Sequence, residues 1–445
     1  MKHLVEVDTL PEVDRRSGER MVMVVAGSNA RAAWALFIVA FCIGIVQLLH
    51  PVGYGLGPGY ETAAIARNLV ARGTFGNPFD LGESGLTAVV PPLHPMLLAA
   101  FFWLPVPWSL ILAVLGNVIA NAVTAALLPG LSKRFCGDRA PGIGAGFLWM
   151  FAMQLMPAWD GGYTLAALLA FLVLTTDTFE ATVRPGWAAA GGGLAAGIIS
   201  NENPATLPIL ALWICFLLIR REEKLPEILR HFAVFALLIA AANAPWLIRN
   251  YRIWHAFTLR TNFGMTFYSS NNDCAQSSLK LEMESGCYQR NHPAGSASEL
   301  ALMNHLGEVA FDRERTKATL KWIRSHPRRF EELTVARIRE FWFPGTQSPL
   351  YTTYAAWFIS ALSIPGILLM LRKGMPIAWV ILILWMVYPL PYYVVVSGGR
   401  YRYPIIWSSL LAAGFFLAFC GRCARRQLLE GGWRSRFATV EIQGG

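Results

Sequence analysis

The chain has 445 residues, of which 55% are hydrophobic and only 15% charged, whereas a soluble domain carries about a quarter charged residues. Mean hydropathy is +0.42, and several apolar windows reach the roughly 20 residues needed to cross a bilayer, which excludes a water-soluble globular class. The net charge of +10 does not point to nucleic acid, because much of the excess sits in short basic clusters at span ends, the pattern of cytoplasmic loops.

Residues 1–32 contain Glu6, Asp8, Glu12 and Asp14 before any long apolar run. They predict a retained, mostly disordered cytoplasmic tail rather than a cleaved leader, with Met21–Ala26 as an apolar patch at the membrane. The first span is expected at Ala33–His50, with Arg15, Arg16, Arg20 and Arg31 holding the N-terminus inside. A first external loop, 51–107, follows. Its stretch "GPGYETAAIARNLVARGTFGNPFD" (Gly57–Asp80) reads as a polar helix opened by Gly57, Pro58 and Gly59. Its second half, "PPLHPMLLAAFFWLP", is too short to cross and is expected to be re-entrant or interfacial.

Further spans are expected at Trp108–Leu131, Pro141–Pro157, Thr164–Thr176, Trp187–Ser200, Ala205–Ile219 and His231–Leu247, then at Tyr351–Leu371, Pro376–Val396 and Pro404–Cys420. The total is about ten, with both ends inside. "GGGLAAG" at Gly191 reads as close helix packing. The predicted fold class is therefore an α-helical polytopic membrane protein with about ten transmembrane helices, interfacial helices in the first external loop and a small helical extracytoplasmic domain.

The units expected are a tail (1–32), a transmembrane module (33–248), an external domain (249–348), C-terminal transmembrane helices (349–421) and a second cytoplasmic tail (422–445). In the external domain, Ser296 and Glu299 form a capping box. Apolar residues from Leu300 to Ile323 recur at helical spacing, and a second helix is expected at Phe330–Phe343. Cys274 and Cys287 are the domain's only cysteines, and an oxidising outer compartment favours a disulfide between them. The lone CxxC at Cys420 and Cys423 is a weak metal signal.

Ionisable groups near a bilayer are costly and mark function by default. The charge topology places Glu61, His94, Asp160 ("PAWDGGY"), Glu202 ("SNENPA"), Arg249, Arg400 and Arg402 ("SGGRYRYP") on one outer face. Each has a structural alternative: Glu61 offsets a helix dipole, Asp160 and Glu202 are solvated loop residues, His94 is an interfacial polar group, and the arginines anchor at lipid headgroups. Taken together, carboxylates can deprotonate an acceptor or hold a divalent metal, and arginines can grip a phosphate. Arg67 and Asn271 complete the candidate substrate-binding set. No P-loop, dinucleotide fingerprint or convincing DxD lies on the inner side.

Several stretches then show a resemblance: "YETAAIARNLVARGTFGNPF", "GLTAVVPPLHPMLLAAFF", "ISNENPATLPILALW", "NAPWLIRNYRIWHAFTLRTNFGMTFYSSNND", the insert from His292 to Thr334, and "GGRYRYPI". In this order the chain resembles the GT-C superfamily of membrane glycosyltransferases, in particular the bacterial protein O-mannosyltransferases of glycosyltransferase family 39 and the lipid A aminoarabinose transferases. That resemblance implies a GT-C-type fold in the bacterial inner membrane with its site facing outward. It also implies transfer of a hexose or pentose from a polyprenyl-phosphate donor to a lipid, glycan or protein acceptor. Glu61 would be the catalytic acid-base group and a potential metal ligand, with Asp160 beside it and Arg400 and Arg402 on the lipid phosphate. The chain departs from the pattern in two places. Gly59 and Tyr60 precede Glu61 where many relatives carry an adjacent acidic pair, and Val90 precedes "PPL" where the aminoarabinose branch has a basic residue. A transporter or flippase of a lipid-linked sugar, which would show repeated halves and mid-membrane polar groups, and a non-catalytic assembly subunit are the competing readings.

Overall fold

A computed structural model describes residues 15–49, 61–153, 159–181, 185–345 and 350–431. Gly57–Tyr60, the predicted opening of the polar helix, lie outside the described residues, as do 1–14 and 432–445. Nineteen helices form the described chain. The first nine are α1 (Arg15–Leu49), α2 (Glu61–Arg72), α3 (Leu93–Phe102), α4 (Trp108–Cys136), α5 (Ala140–Ala152), α6 (Gly161–Ala181), α7 (Pro185–Glu202), α8 (Leu207–Arg220) and α9 (Leu225–Trp254). Six follow in the external insert: α10 (Phe263–Ser269), α11 (Leu279–Glu284), α12 (Cys287–Asn291), α13 (Ala297–Leu306), α14 (Glu308–Ser325) and α15 (Pro327–Trp342). The chain ends with α16 (Leu350–Arg372), α17 (Pro376–Val387), α18 (Leu390–Val394) and α19 (Tyr403–Gly431).

Seven helical segments are long and apolar enough to cross a membrane, fewer than the ten spans expected. The other three expected spans are helical but differ in character. α5 and α8 have 13 and 14 residues, about 20 Å of helix at 1.5 Å per residue, against a hydrocarbon core of about 30 Å. α7 has 18 residues, many of them Gly and Ala. Those small residues let it meet α9 closely: a Cβ on Gly197 would lie 2.4 Å from the Ala242 Cβ. Such contact replaces the hydrophobic drive that lipid does not supply. α1 begins at Arg15, so half of the stretch expected as a disordered tail, Met21–Ala26 included, is helical.

α6 and α19 lie in the middle of the bundle, and α1 and α9 at its edge. The core centres on buried aromatics, with Trp149, Trp213 and Trp407 all inaccessible. Within the bundle, Asn121 donates to Asn117 and Trp149 Nε1 donates to the Asn121 carbonyl at 3.0 Å. At one end the basic C-termini cross-link. Arg134 pairs with Asp177, Arg220 lies 3.4 Å from Glu180, and Arg422 lies 2.8 Å from Asp138. The N-termini of α6, α8 and α19 therefore share the opposite end.

At that opposite end, the first external loop and the insert form one lobe. They share a core of Ile65, Phe75, Val89, Trp246, Met265 and Leu300. The buried Glu308 carboxylate accepts from the Ala88 backbone at 2.9 Å and from the Thr261 hydroxyl at 2.7 Å. Ser296 caps α13, its hydroxyl accepting from Glu299 N–H. Ser296 N–H, however, donates to the His292 carbonyl and the Glu299 carboxylate accepts from Arg315, so the reciprocal half of the expected capping box is not made. The single helix expected from Leu300 to Ile323 is split at Gly307, whose φ of 78° lies in the left-handed region that glycine tolerates. α15 covers the second helix expected at Phe330–Phe343.

Candidate functional site

A cavity of about 660 Å³ lies between the bundle end and the lobe. Eight separate segments contribute its wall, so no local motif encodes it. Five of the nine predicted site residues line it: Glu61, His94, Asp160, Glu202 and Arg400.

Glu61 is the first residue of α2 and half-buried. A carboxylate there is favoured by the helix dipole, and it also reaches the electrostatic environment of Tyr288 across the cavity. Asp160 stands just ahead of α6, where its Oδ2 accepts from Asn203 Nδ2 at 3.1 Å. His94 on α3 and Glu202 at the end of α7 are both buried, with Nδ1 and Oε1 3.1 Å apart. Arg400 donates to the Tyr401 hydroxyl at 3.1 Å and stacks over that ring. Tyr401 in turn stacks on Tyr392 at 4.8 Å, and Trp159 meets Tyr403 at 4.5 Å. The cavity thus combines aromatic walls with both signs of charge.

The other four predicted residues have different surroundings. Arg67 pairs with Asp80 at 3.7 Å on the exposed side of α2. Arg249 serves the first external loop, donating to the carbonyls of Thr87 at 2.8 Å and Phe75 at 3.1 Å and stacking on Trp246. Asn271 is buried, donating to the carbonyls of Phe267 and Val394 and accepting from Arg337. Arg402 is buried in the bundle, donating to the Ser360 hydroxyl and stacking over Trp342. These four stand outside the cavity lining, and the contacts just given tie them to the protein's own groups. Cys274 and Cys287 form a disulfide in the lobe.

The cavity also draws on residues the sequence reading did not single out, among them Arg260, Glu282, Tyr288 and His292. Arg260 Nε donates to the Val89 carbonyl at 3.0 Å. Glu282 is completely buried, and burial pushes its carboxyl up to about 8 against the opposing pull of the Arg337 guanidinium. His292 is also buried, and burial holds its imidazole down at about 3. Its Nδ1 accepts from Ala294 N–H at 3.1 Å, consistent with a neutral ring. Tyr288 stacks on it at 4.5 Å. Burial, followed by Glu61, pushes the Tyr288 phenol up, and Arg400 opposes them. The only sequence hint to this group was the i, i+4 spacing of Tyr288 and His292 directly after Cys287.

Among the described residues no three His, Cys, Asp or Glu side chains gather closely enough to hold one ion. The donor set does not fit a metal cage built from side chains, and no step below passes through a metal.

No protein-family model and no curated protein matches the chain. Solved structures do. The oligosaccharyltransferase of Archaeoglobus fulgidus in its apo form aligns with a TM-score of 0.54 at 14% identity, covering 89% of this chain and 52% of that one. The same enzyme in complex with Zn and sulfate aligns at 0.50 and 13%, covering 88% and 50%. The chain thus spans about half the length of the structures it matches. At such identity the likeness concerns architecture, and by that measure the chain is a helical polytopic membrane protein of GT-C-type fold.

Proposed function

We propose that the protein is an integral-membrane glycosyltransferase that moves a sugar from a polyprenyl-phosphate donor to a lipid, glycan or protein acceptor. The observation that carries this reading is the convergence of Glu61, Asp160 and Arg400 on one cavity, although they lie far apart in sequence. The cavity adjoins the bundle end on one side and the lobe on the other, so a lipid-anchored headgroup could enter from the membrane while an acceptor arrives from solvent. The paired basic ends lie at the other end of the bundle, which by the positive-inside rule is cytoplasmic. The site then faces outward, as in a bacterial inner-membrane enzyme.

In this reading Glu61 takes the proton from the acceptor hydroxyl or amine as it attacks the anomeric carbon. The sugar–phosphate bond breaks, and Arg400 and Arg260 stabilise the charge that develops on the departing lipid phosphate. Asp160, oriented by Asn203, sits where it can stabilise positive charge on the sugar ring. Similarity to oligosaccharyltransferases in fold supports sugar transfer as the reaction class, and the family 39 or aminoarabinose branch suggested by the sequence stretches would set the donor as a single hexose or pentose.

Replacing Glu61 by Gln keeps shape and removes the base. Membranes carrying this variant, supplied with labelled polyprenyl-phosphate sugar, should transfer at least roughly 100-fold more slowly. Wild-type rates from E61Q would overturn the assignment.

A further inference from the structure

Of the lobe residues on the cavity that neither charge topology nor the family resemblance assigns, Tyr288 is the one whose hydroxyl faces both Glu61 and Arg400 electrostatically. Tyr288 follows Cys287 directly in α12, and the disulfide to Cys274 ties this short helix to the segment after α10. On its other side the ring stacks on buried His292, 4.5 Å between centroids and 15° from parallel. The phenol lines the cavity with Glu61, Arg400, Tyr401 and Glu282 as its electrostatic neighbours, and it makes no hydrogen bond among the described residues.

We propose that Tyr288 is a substrate-contacting residue whose phenol donates a hydrogen bond to an anionic phosphate oxygen beside Arg400, and that the Cys274–Cys287 disulfide positions it. The inference rests on the proposed function for the source of that phosphate, the lipid carrier. Three features support it. Burial and the Glu61 carboxylate keep the phenol protonated, which rules it out as a base at neutral pH and leaves it a donor. Arg400 supplies charge but is a rigid planar fork, so a neutral donor from another direction completes the enclosure of a tetrahedral phosphate. The clip also matters, because α12 has only five residues and a helix that short holds its own geometry poorly.

The test is binding of undecaprenyl phosphate and of undecaprenol to the purified full chain in nanodiscs, read by tryptophan fluorescence. Wild type should prefer the phosphate. Y288F, which keeps the ring stack, should weaken phosphate binding roughly tenfold, the scale of a hydrogen bond to a charged group, while leaving undecaprenol binding unchanged. The C274S/C287S double variant, and wild type treated with a thiol reductant, should shift in the same direction as Y288F. If wild type discriminates phosphate from alcohol and Y288F discriminates equally well, the role of Tyr288 is overturned and the proposed function stands. If wild type does not discriminate at all, the proposed function falls with it. Phosphatidic acid provides a third arm. Binding as tight as that of undecaprenyl phosphate would place a bilayer headgroup, not the carrier, at Tyr288 and overturn the assignment. Unchanged binding in C274S/C287S would overturn the positioning role of the disulfide.

Discussion

Glu282 offers a prediction whose magnitude follows from its surroundings. The side chain has no accessible surface, and neither carboxylate oxygen has a partner of good hydrogen-bond geometry. Burial raises its carboxyl to about 8 from an ordinary value of 4.5. Between those two values the folded protein holds a proton that the unfolded chain releases. Stability from this group is therefore present at acid pH and lost as pH rises through the window, by up to about 1.4 kcal/mol per pH unit and on the order of 5 kcal/mol across it. E282Q cannot titrate. Its thermal midpoint in nanodiscs should lie near that of wild type at pH 5 and clearly above it at pH 8.5. Glu299, Glu308 and Asp312 are also raised, by burial, and His292 acts in the opposite sense at the acid end. All four are common to both proteins, so the difference between the two pH curves isolates Glu282. Parallel curves from pH 5 to 9 would refute the reasoning.

Arg400 and Arg402 should behave differently despite their spacing. R400Q should weaken undecaprenyl phosphate binding by tenfold or more with little change in thermal midpoint, and R402Q should do the reverse; equal loss of binding in both would count against the lining described above. His94 and Glu202 should be energetically coupled. A double-mutant cycle with H94Q and E202Q should return at least about 1 kcal/mol of interaction in unfolding free energy, since breaking one side of a buried pair strands the other, and strictly additive effects would remove the pair as a unit. R249Q should loosen the first external loop by roughly 2 to 3 kcal/mol, since two backbone carbonyls lose a charged donor. Limited proteolysis between Gly73 and Gly85 would report it, and unchanged cleavage would contradict the strut role.

Much of the helical framework was legible in the sequence because a bilayer leaves few options. Backbone groups in hydrocarbon must pair internally, so apolar length and flanking charge locate helices and sort their ends. That logic put Glu61, His94, Asp160, Glu202 and Arg400 on one face, and the cavity lining includes all five. It failed where length alone was ambiguous. α5 and α8 were read as full spans because the expected windows, Pro141–Pro157 and Ala205–Ile219, ran past helices of only 13 and 14 residues. Topology also fixes only the side of the membrane and says nothing about which way a residue turns. The short 3-10 turn Gly399–Arg402 sends Arg400 to the cavity wall and Arg402 back to Ser360. Two positions in "GGRYRYP" with identical chemistry and identical topology thus acquire different surroundings. Arg249 was indistinguishable from an interfacial anchor because its acceptors, Phe75 and Thr87, lie 174 and 162 residues earlier.

The lobe was the least legible part of the site, for a related reason. The charge topology assigns every residue of the insert to one side, so charge bias carries no information within it, and only packing decides which face meets the bundle. Arg260, Glu282, Tyr288 and His292 reach the cavity because the insert shares its core with the first external loop through Glu308, Thr261 and Ala88. That junction also bears on specificity. The bundle contributes Asp160, Glu202 and Arg400 from helix ends or the turns beside them, and the first loop contributes Glu61. The insert adds polar groups from short helices held by a disulfide. On the proposed function, the two arginines on the lipid phosphate, Arg260 and Arg400, lie outside segment 274–292, so that segment, Tyr288 apart, is left to read the group attached to it. Exchanging segment 274–292 for that of another protein of this fold should alter which lipid-linked sugar is accepted while leaving affinity for bare undecaprenyl phosphate within a few-fold, apart from the contribution of Tyr288 itself.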